Sequence, residues 1–154
     1  YLYWKNYGVP TVSLRYFTVY GPRQRPDMGI NKFVNAILLG QAITIYGNGR
    51  QTRDFTYIDD AVEANVLAAT SGIYGEVFNI GGGNRISVNN LISAIEEATG
   101  KSATLVYVEE QKGDVLDTWA DTQKAEGMLG WKAKNRITVG LEQYVAWLKS
   151  MGTY

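Results

Sequence analysis

The sequence has no histidine, no cysteine and only three prolines among its 154 residues. Without His or Cys there is no Ser-His or Cys-His nucleophile, no zinc finger or zinc hydrolase centre and no disulfide framework. Acid–base work would fall to carboxylates, tyrosine or lysine. No apolar run approaches the ~18 residues of a membrane span, and no charged segment followed by an apolar one opens the chain as a secretory signal would. The expectation is a soluble, cytoplasmic protein that touches no membrane. A net charge is also missing, because 15 Lys and Arg balance 15 Asp and Glu.

That balance hides blocks. Residues 23–53 hold five cations against Asp27, whereas residues 54–121 hold twelve acids against Arg85, Lys101 and Lys112. The basic block is where an anion is to be sought. Its cations are not interleaved with aromatics as on a single-strand stacking platform, so nucleic acid is not an expected partner. At 45% hydrophobic residues the chain can bury the core of one ordinary domain.

Short β-rich runs alternate with helical periods, which predicts an α/β fold. Thr11 to Phe17 is β-branched and aromatic and runs into Gly21-Pro22, reading as a strand that enters a loop. Ile30, Phe33, Val34, Ile37 and Leu38 recur at helical spacing before Gly40. Ile43 to Tyr46 reads as a short strand followed by a tight Asn48-Gly49 turn, and Phe55 to Ile58 as another extended run. Asp60 and Glu63 have the spacing of a capping box for a helix reaching Thr70. Val77 to Ile80 is a strand leading to Gly81-Gly82-Gly83; Ser87 caps a helix with Val88, Leu91, Ile92, Ile95 and Ala98 on its apolar stripe, closed by Gly100. Thr104 to Val108 is the last strand. Asp121 and Thr138 are N-cap candidates for two terminal helices, the second striped by Leu141, Tyr144, Val145 and Leu148.

Three stretches have the look of chemistry. Tyr1 and Lys5 share a helical face, where an ammonium can lower a phenol pKa, but residues 1–8 read as the tail of a helix packing on a sheet and no catalysis is assigned to them. Gly81-Gly82-Gly83-Asn84-Arg85 follows a strand and precedes a helix, yet Ile86 stands where a third fingerprint glycine belongs. It reads as a structural βα turn, the alternative being that Arg85 or the turn's N–H groups meet a ligand. Finally, Arg53 lies between a tight turn and a buried-looking run, where its fork can grip a phosphate; Asp54 is placed to hold that fork or a nearby amide.

Leu14 to Gln24 (Leu-Arg-Tyr-Phe-Thr-Val-Tyr-Gly-Pro-Arg-Gln), Ile45 to Gly49, Arg53 to Tyr57 and Phe78 to Gly81, at these spacings, resemble the extended short-chain dehydrogenase/reductase family. Within it the likeness is to NAD-dependent nucleotide-sugar epimerases and dehydratases, UDP-glucose 4-epimerases above all. The resemblance covers the whole chain but corresponds to the C-terminal half of such an enzyme. It implies that residues 1–28 are a remnant of the dinucleotide-binding half, its last Rossmann strand region, and that residues 29–154 form a small α/β region binding the nucleotide sugar. The family's Gly-rich NAD fingerprint, catalytic Ser/Thr and Tyr-x-x-x-Lys pair have no counterpart in these residues. The resemblance therefore implies NAD as the cofactor of the parent family, not bound by this chain alone, and no catalytic residue here.

The substrate side can be carried over residue by residue. By resemblance, Tyr16 and Phe17 border the nicotinamide and Thr18 faces the sugar. Lys32 and Phe33 open a helix beside the diphosphate and base, Thr44 and Tyr46 line the base pocket with Tyr46 as the stacking ring, and Arg53 is the diphosphate arginine. In the family's Gly-Asp-x-Arg segment a second arginine clamps the diphosphate; here Gly113-Asp114-Val115-Leu116 puts Leu116 in its place. Losing one charge-assisted bidentate contact weakens binding by roughly 1.5–3 kcal/mol, or about 10- to 100-fold. Arg23, Arg25 or Arg50 are the cations that could compensate. The implied function is the substrate-binding half of a UDP-sugar 4-epimerase of the UDP-glucose/UDP-galactose type, inactive as an isolated chain. Two alternatives stand beside it: a non-catalytic UDP-sugar binding module, and a structural remnant that oligomerises or docks with a separate amino-terminal half.

Overall fold

The computed structural model describes residues 1–83 and 85–152. The elements run in the order α1 (Leu2–Tyr7), β1 (Ser13–Tyr16), β2 (Val19–Tyr20), α2 (Gly29–Leu39), β3 (Ala42–Tyr46), β4 (Thr52–Asp54), β5 (Thr56–Tyr57), α3 (Ile58–Thr70), β6 (Val77–Ile80), β7 (Arg85–Ser87), α4 (Val88–Thr99), β8 (Thr104–Val108), α5 (Gln123–Leu129) and α6 (Ile137–Ser150). The chain is α/β, as its alternating pattern predicts. β1 pairs in parallel with β6, β2 with β5 and β3 with β8, while β4 and β7 are antiparallel.

Two hydrophobic clusters organise these pairs. The larger gathers Ile30, Val34, Ile37 and Leu38 of α2, Ile43 and Ile45 of β3, Leu91, Ile92 and Ile95 of α4 and Leu141, Tyr144, Val145 and Leu148 of α6 around Tyr20, Phe55 and Tyr57. The helical stripes and the period-two alternation of β3 supply its members directly. The smaller consists of Ala64 and Ala68 of α3, Phe78 and Ile80 of β6, and Ala125, Leu129 and Trp131, with Val12 and Leu14 packed against them. The clusters interleave along the chain: Tyr20, early in the sequence, belongs to the larger, and Trp131, late in it, to the smaller.

Several boundaries differ from the sequence expectation. Asp60 and Glu63 do not form a capping box, because α3 begins two residues earlier at Ile58 with Tyr57 as N-cap. Asp60 is instead buried in the first turn, and its carboxylate accepts from the backbone N–H groups of Lys134 and Asn135 and from Asn135 Nδ2. Trp131 Nε1 donates to the Asp60 carbonyl at 2.9 Å, so this one residue ties α3 to the segment before α6. Asp121 and Thr138 are not the N-caps of α5 and α6, which are Thr122 and Arg136. Asp121 accepts from the Gln123 N–H from one position further out. Ser87 does cap α4, accepting from the Asn90 N–H at 3.2 Å. Ile58 belongs to α3, not to an extended run.

Gly81 to Gly83 do not pass straight into a helix, because β7 intervenes and pairs with β4. Asn84 of that turn lies outside the described residues. A Cβ at Gly82 would collide with the Phe55 carbonyl oxygen, so a backbone-to-backbone approach explains this glycine. Residues 1–8 are helical up to Gly8, whose φ of 66° closes the helix, but α1 buries no residue on a sheet. Trp4 packs against Tyr74, with ring centroids 5.4 Å apart, made possible because Gly75 has no side chain to push the indole away.

Candidate functional site

Arg53 sits on β4 with Asp54 next to it, and strand alternation sends the two side chains to opposite sides. Asp54 is fully buried and accepts from the Ala120 N–H at 3.0 Å, so of the two roles the sequence left open it takes the amide. The partner of Arg53 is Asp114, 61 residues downstream: Nη2 lies 2.6 Å from Asp114 Oδ1. Arg53 Nη1 donates to the carbonyls of Thr52 at 2.8 Å and Leu116 at 3.4 Å.

These contacts exist because residues 114–118 lie along β4. The Thr52 N–H donates to the Leu116 carbonyl at 2.8 Å, the Thr118 N–H returns to the Thr52 carbonyl at 3.2 Å, and Thr52 Oγ1 bonds the Asp117 carboxylate. The strap thereby occupies the edge of β4 opposite β7. Two cavities flank it. An inner one of about 290 Å³ is lined by Thr18, Ile30, Phe33, Arg53, Phe55 and Leu91, among others. An outer one of about 250 Å³ is lined by Tyr46, Asn48, Arg50, Glu110, Val115 and Leu116, among others. Gln51 and Asp114 line both. Gln51 Nε2 donates to the Tyr46 carbonyl at 3.0 Å, bracing the residue that follows the β3 strand interior.

Of the residues carried over for substrate, the fold brings Thr18, Phe33 and Arg53 to the inner cavity and Tyr46 to the outer. Lys32, exposed in the first turns of α2, and Thr44, exposed on the same face of β3 as Tyr46, line neither. Tyr16 and Phe17 stand away from both, at the end of β1. There Tyr16 donates to Asn65 Oδ1 at 2.8 Å and borders an open apolar hollow with Val19, Ile58, Ala61 and Val62. Leu116 presents an exposed side chain at the lip of the outer cavity. Arg50 is the cation beside it; Arg25 pairs with Asp27 at 3.1 Å, and Arg23 occupies a turn with a φ of 66°. Asp114 and Gln51 are the residues that reading the sequence missed. A strap meeting a strand some sixty residues away leaves no local periodicity to find.

Two buried tyrosines belong to the larger cluster, with Tyr20 edge-on against Phe55 and Tyr57. Burial, followed by the nearby Tyr57 and Asp60, pushes the Tyr20 phenol well above its ordinary range, and burial then Asp59 raise Tyr57. Both are neutral structural groups near pH 7.

The model of the NAD dependent epimerase/dehydratase family matches residues 1–81, more than half of the chain. The chain belongs to that family. It is 40% identical over 151 residues to the uncharacterized UDP-glucose epimerase YtcB of Bacillus subtilis (strain 168), covering 97% of this chain and 48% of that protein. It is 43% identical over 150 residues to the UDP-glucuronate 4-epimerase of Thermodesulfobacterium geofontis (strain OPF15), covering 97% and 46%. Among solved structures, it matches the UDP-glucuronic acid 4-epimerase of Bacillus cereus in complex with UDP-glucuronic acid and NAD at a TM-score of 0.90 and 43% identity, covering 97% of this chain and 48% of that one. It also matches the Thermotoga maritima UDP-glucose 4-epimerase with UDP-glucose at a TM-score of 0.91 and 38% identity, covering 97% and 49%. The chain spans about half the length of the curated relatives it matches, and its fold corresponds to the C-terminal halves of extended short-chain dehydrogenase/reductase epimerases.

Family membership raises the question of NAD. Tyr16 and Phe17 lie at the end of β1, but the glycine run Gly81 to Gly83 has its middle residue packed on the Phe55 carbonyl, and the next described element is β7, not a helix. A dinucleotide's pyrophosphate needs free N–H groups at such a terminus. Gly81 to Gly83 therefore do not have the form of a pyrophosphate-binding turn.

Proposed function

We propose that this chain supplies the substrate side of an NAD-dependent UDP-sugar 4-epimerase of the UDP-glucose/UDP-galactose type. The observation that carries the reading is that the cavity lined by Thr18 and Arg53 and the cavity lined by Tyr46 share Gln51 and Asp114 as lining residues. An exposed aromatic face suits a nucleobase, a braced guanidinium suits a diphosphate, and a hydroxyl suits a sugar. Three of the five Arg53 N–H groups already have acceptors, which holds the fork and leaves the others for phosphate oxygens. The solved relatives support the ligand class, since their complexes contain UDP-glucuronic acid or UDP-glucose.

Without a dinucleotide site or a Tyr-x-x-x-Lys pair on a rigid support, the 154 residues by themselves bind and do not turn over substrate. Titration calorimetry with UDP-glucose tests the binding. Heat and a thermal shift are expected, both reduced in Arg53→Ala; neither signal at millimolar ligand rejects the reading. Turnover that scales with the purified 154-residue chain would reject the assignment of no catalysis.

A second reading concerns the other side of the molecule. β1 pairs with β6 alone among the described strands, and the hollow beside it, where Val12, Leu14 and Ile73 mix with Tyr16, Asn65 and Tyr74, has a volume of about 350 Å³. α1 and its N-cap add exposed Tyr1, Leu2, Tyr3 and Tyr7. This surface suits the remaining half of the family's fold, joined in the same chain or supplied separately, or a second copy. Light scattering of the 154-residue protein tests it: self-association is expected, and a monodisperse monomer counts against an exposed docking face.

A further inference from the structure

Asn48, Arg50 and Gln51 line the outer cavity from one turn, and that turn is held from behind by the first residues of α4. Helix-initial N–H groups have no acceptor within their own helix. Here the Val88 N–H donates to the Gln51 carbonyl at 3.1 Å and the Asn89 N–H to the Gly49 carbonyl at 3.0 Å. The Asn89 side chain adds a bond from Nδ2 to the Asn48 carbonyl, also at 3.0 Å. Gly49 has a φ of 71°, and a Cβ there would lie 2.0 Å from Asn89 Oδ1, so the amide fills the space that the glycine leaves. That oxygen is buried, and no donor among the described residues reaches it. A side chain turned to water would avoid this cost, so the stability of α4 alone does not call for it.

We infer that Asn89 is a positioning residue for the outer cavity: its amide, seated against Gly49, fixes the turn that carries Asn48, Arg50 and Gln51. Gln51 extends the effect, because its Nε2 holds the Tyr46 carbonyl and the residue lines both cavities. A nucleobase arriving at Tyr46 then meets a wall that is already ordered, and less conformational freedom is lost on binding. The inference deepens the nucleotide-sugar reading and rests on it for the ligand. The order of the turn can be measured without any ligand.

Asn89→Ala removes the side-chain bond, keeps the backbone one and introduces a good helix former. Calorimetry with UDP and inorganic pyrophosphate, together with amide hydrogen exchange over residues 48–51, reads out the effect. Asn89→Ala should weaken UDP about tenfold, leave pyrophosphate within about twofold and speed exchange at the turn about tenfold, with the melting temperature within a few degrees. Gly49→Ala should also weaken UDP, and in the double variant the two losses should not add, because both act on one contact. Asn89→Ser carries the same expectation should the first variant fold poorly. Unchanged UDP binding overturns the inference, as do equal losses of UDP and pyrophosphate, additive losses in the double variant, or unchanged exchange at the turn. If pyrophosphate binds too weakly to measure, exchange and the double variant decide. A wild-type chain that holds UDP no more tightly than pyrophosphate defeats the nucleotide reading and this inference with it. A preference for UDP that survives Asn89→Ala defeats the inference alone.

Discussion

The Arg53 groove and the β1/α1 face are made from similar residue types and are treated oppositely by the fold. In the groove, aromatic and charged side chains are braced from behind. Asp54 is buried on the Ala120 amide, Gln51 holds the Tyr46 carbonyl, and the strap of residues 114–118 is laced to Thr52. On the β1/α1 face, the Tyr3 and Tyr7 rings lie tilted against each other with centroids 5.9 Å apart and are otherwise exposed, and α1 buries none of its residues. On the proposed reading the braced groove serves a small ligand, and the exposed rings beside a strand edge serve another polypeptide surface.

The sharpest way to break this contrast is to remove what stands behind the groove. Asp54→Ala deletes a fully buried carboxylate and should cost about 2–4 kcal/mol, visible as a lower denaturation midpoint at unchanged m-value. A change within 0.5 kcal/mol would mean that the brace is dispensable. Next comes the ligand side: Arg53→Ala should weaken UDP-glucose binding by about 10- to 100-fold, measured by calorimetry, while the melting temperature stays within a few degrees.

A smaller effect is expected from alkali. Tyr20 and Tyr57 have raised phenol pKa values in the folded state, so between the ordinary value of 10.0 and their folded values the unfolded chain loses protons that the native one keeps. Their contribution is whole below pH 10 and is lost as pH rises beyond it; denaturant melts at pH 9 and about 10.5 should show the fall, and Tyr20→Phe should flatten it. Smallest of all, Tyr3→Lys on α1 should change stability by no more than about 0.5 kcal/mol while reducing self-association seen by light scattering. A large stability loss there would show that α1 is part of the folded core after all.

The elements with strong periodicity were readable. α2, α4 and α6 follow the spacing of their apolar residues, β3 follows its alternation, and Ser87 and Gly100 bound α4 as capping chemistry requires. The misreadings occurred where a polar side chain had two uses. Asp60 has the spacing of a cap and the burial of a cross-link, and only the approach of residues 134–135 decides between them. The glycine run has the spacing of a βα turn, but β7 follows it and pairs with β4. Of the site residues, Thr18, Phe33 and Arg53 line one cavity and Tyr46 its neighbour, the two sharing Gln51 and Asp114, while Lys32 and Thr44 line neither.

Sequence alone determined the α/β alternation, the basic block holding Arg53, the family, and the exclusion of His- and Cys-based chemistry, because each of these is written in composition or in short spacings. Tertiary structure alone decided what Arg53 faces. Its neighbour Asp54 turns inward because strand side chains alternate, and its counter-charge arrives from Asp114 because the strap pairs with the free edge of β4. Backbone pairing is almost independent of side-chain identity, so nothing in the residues near either aspartate announces which of the two will meet the arginine.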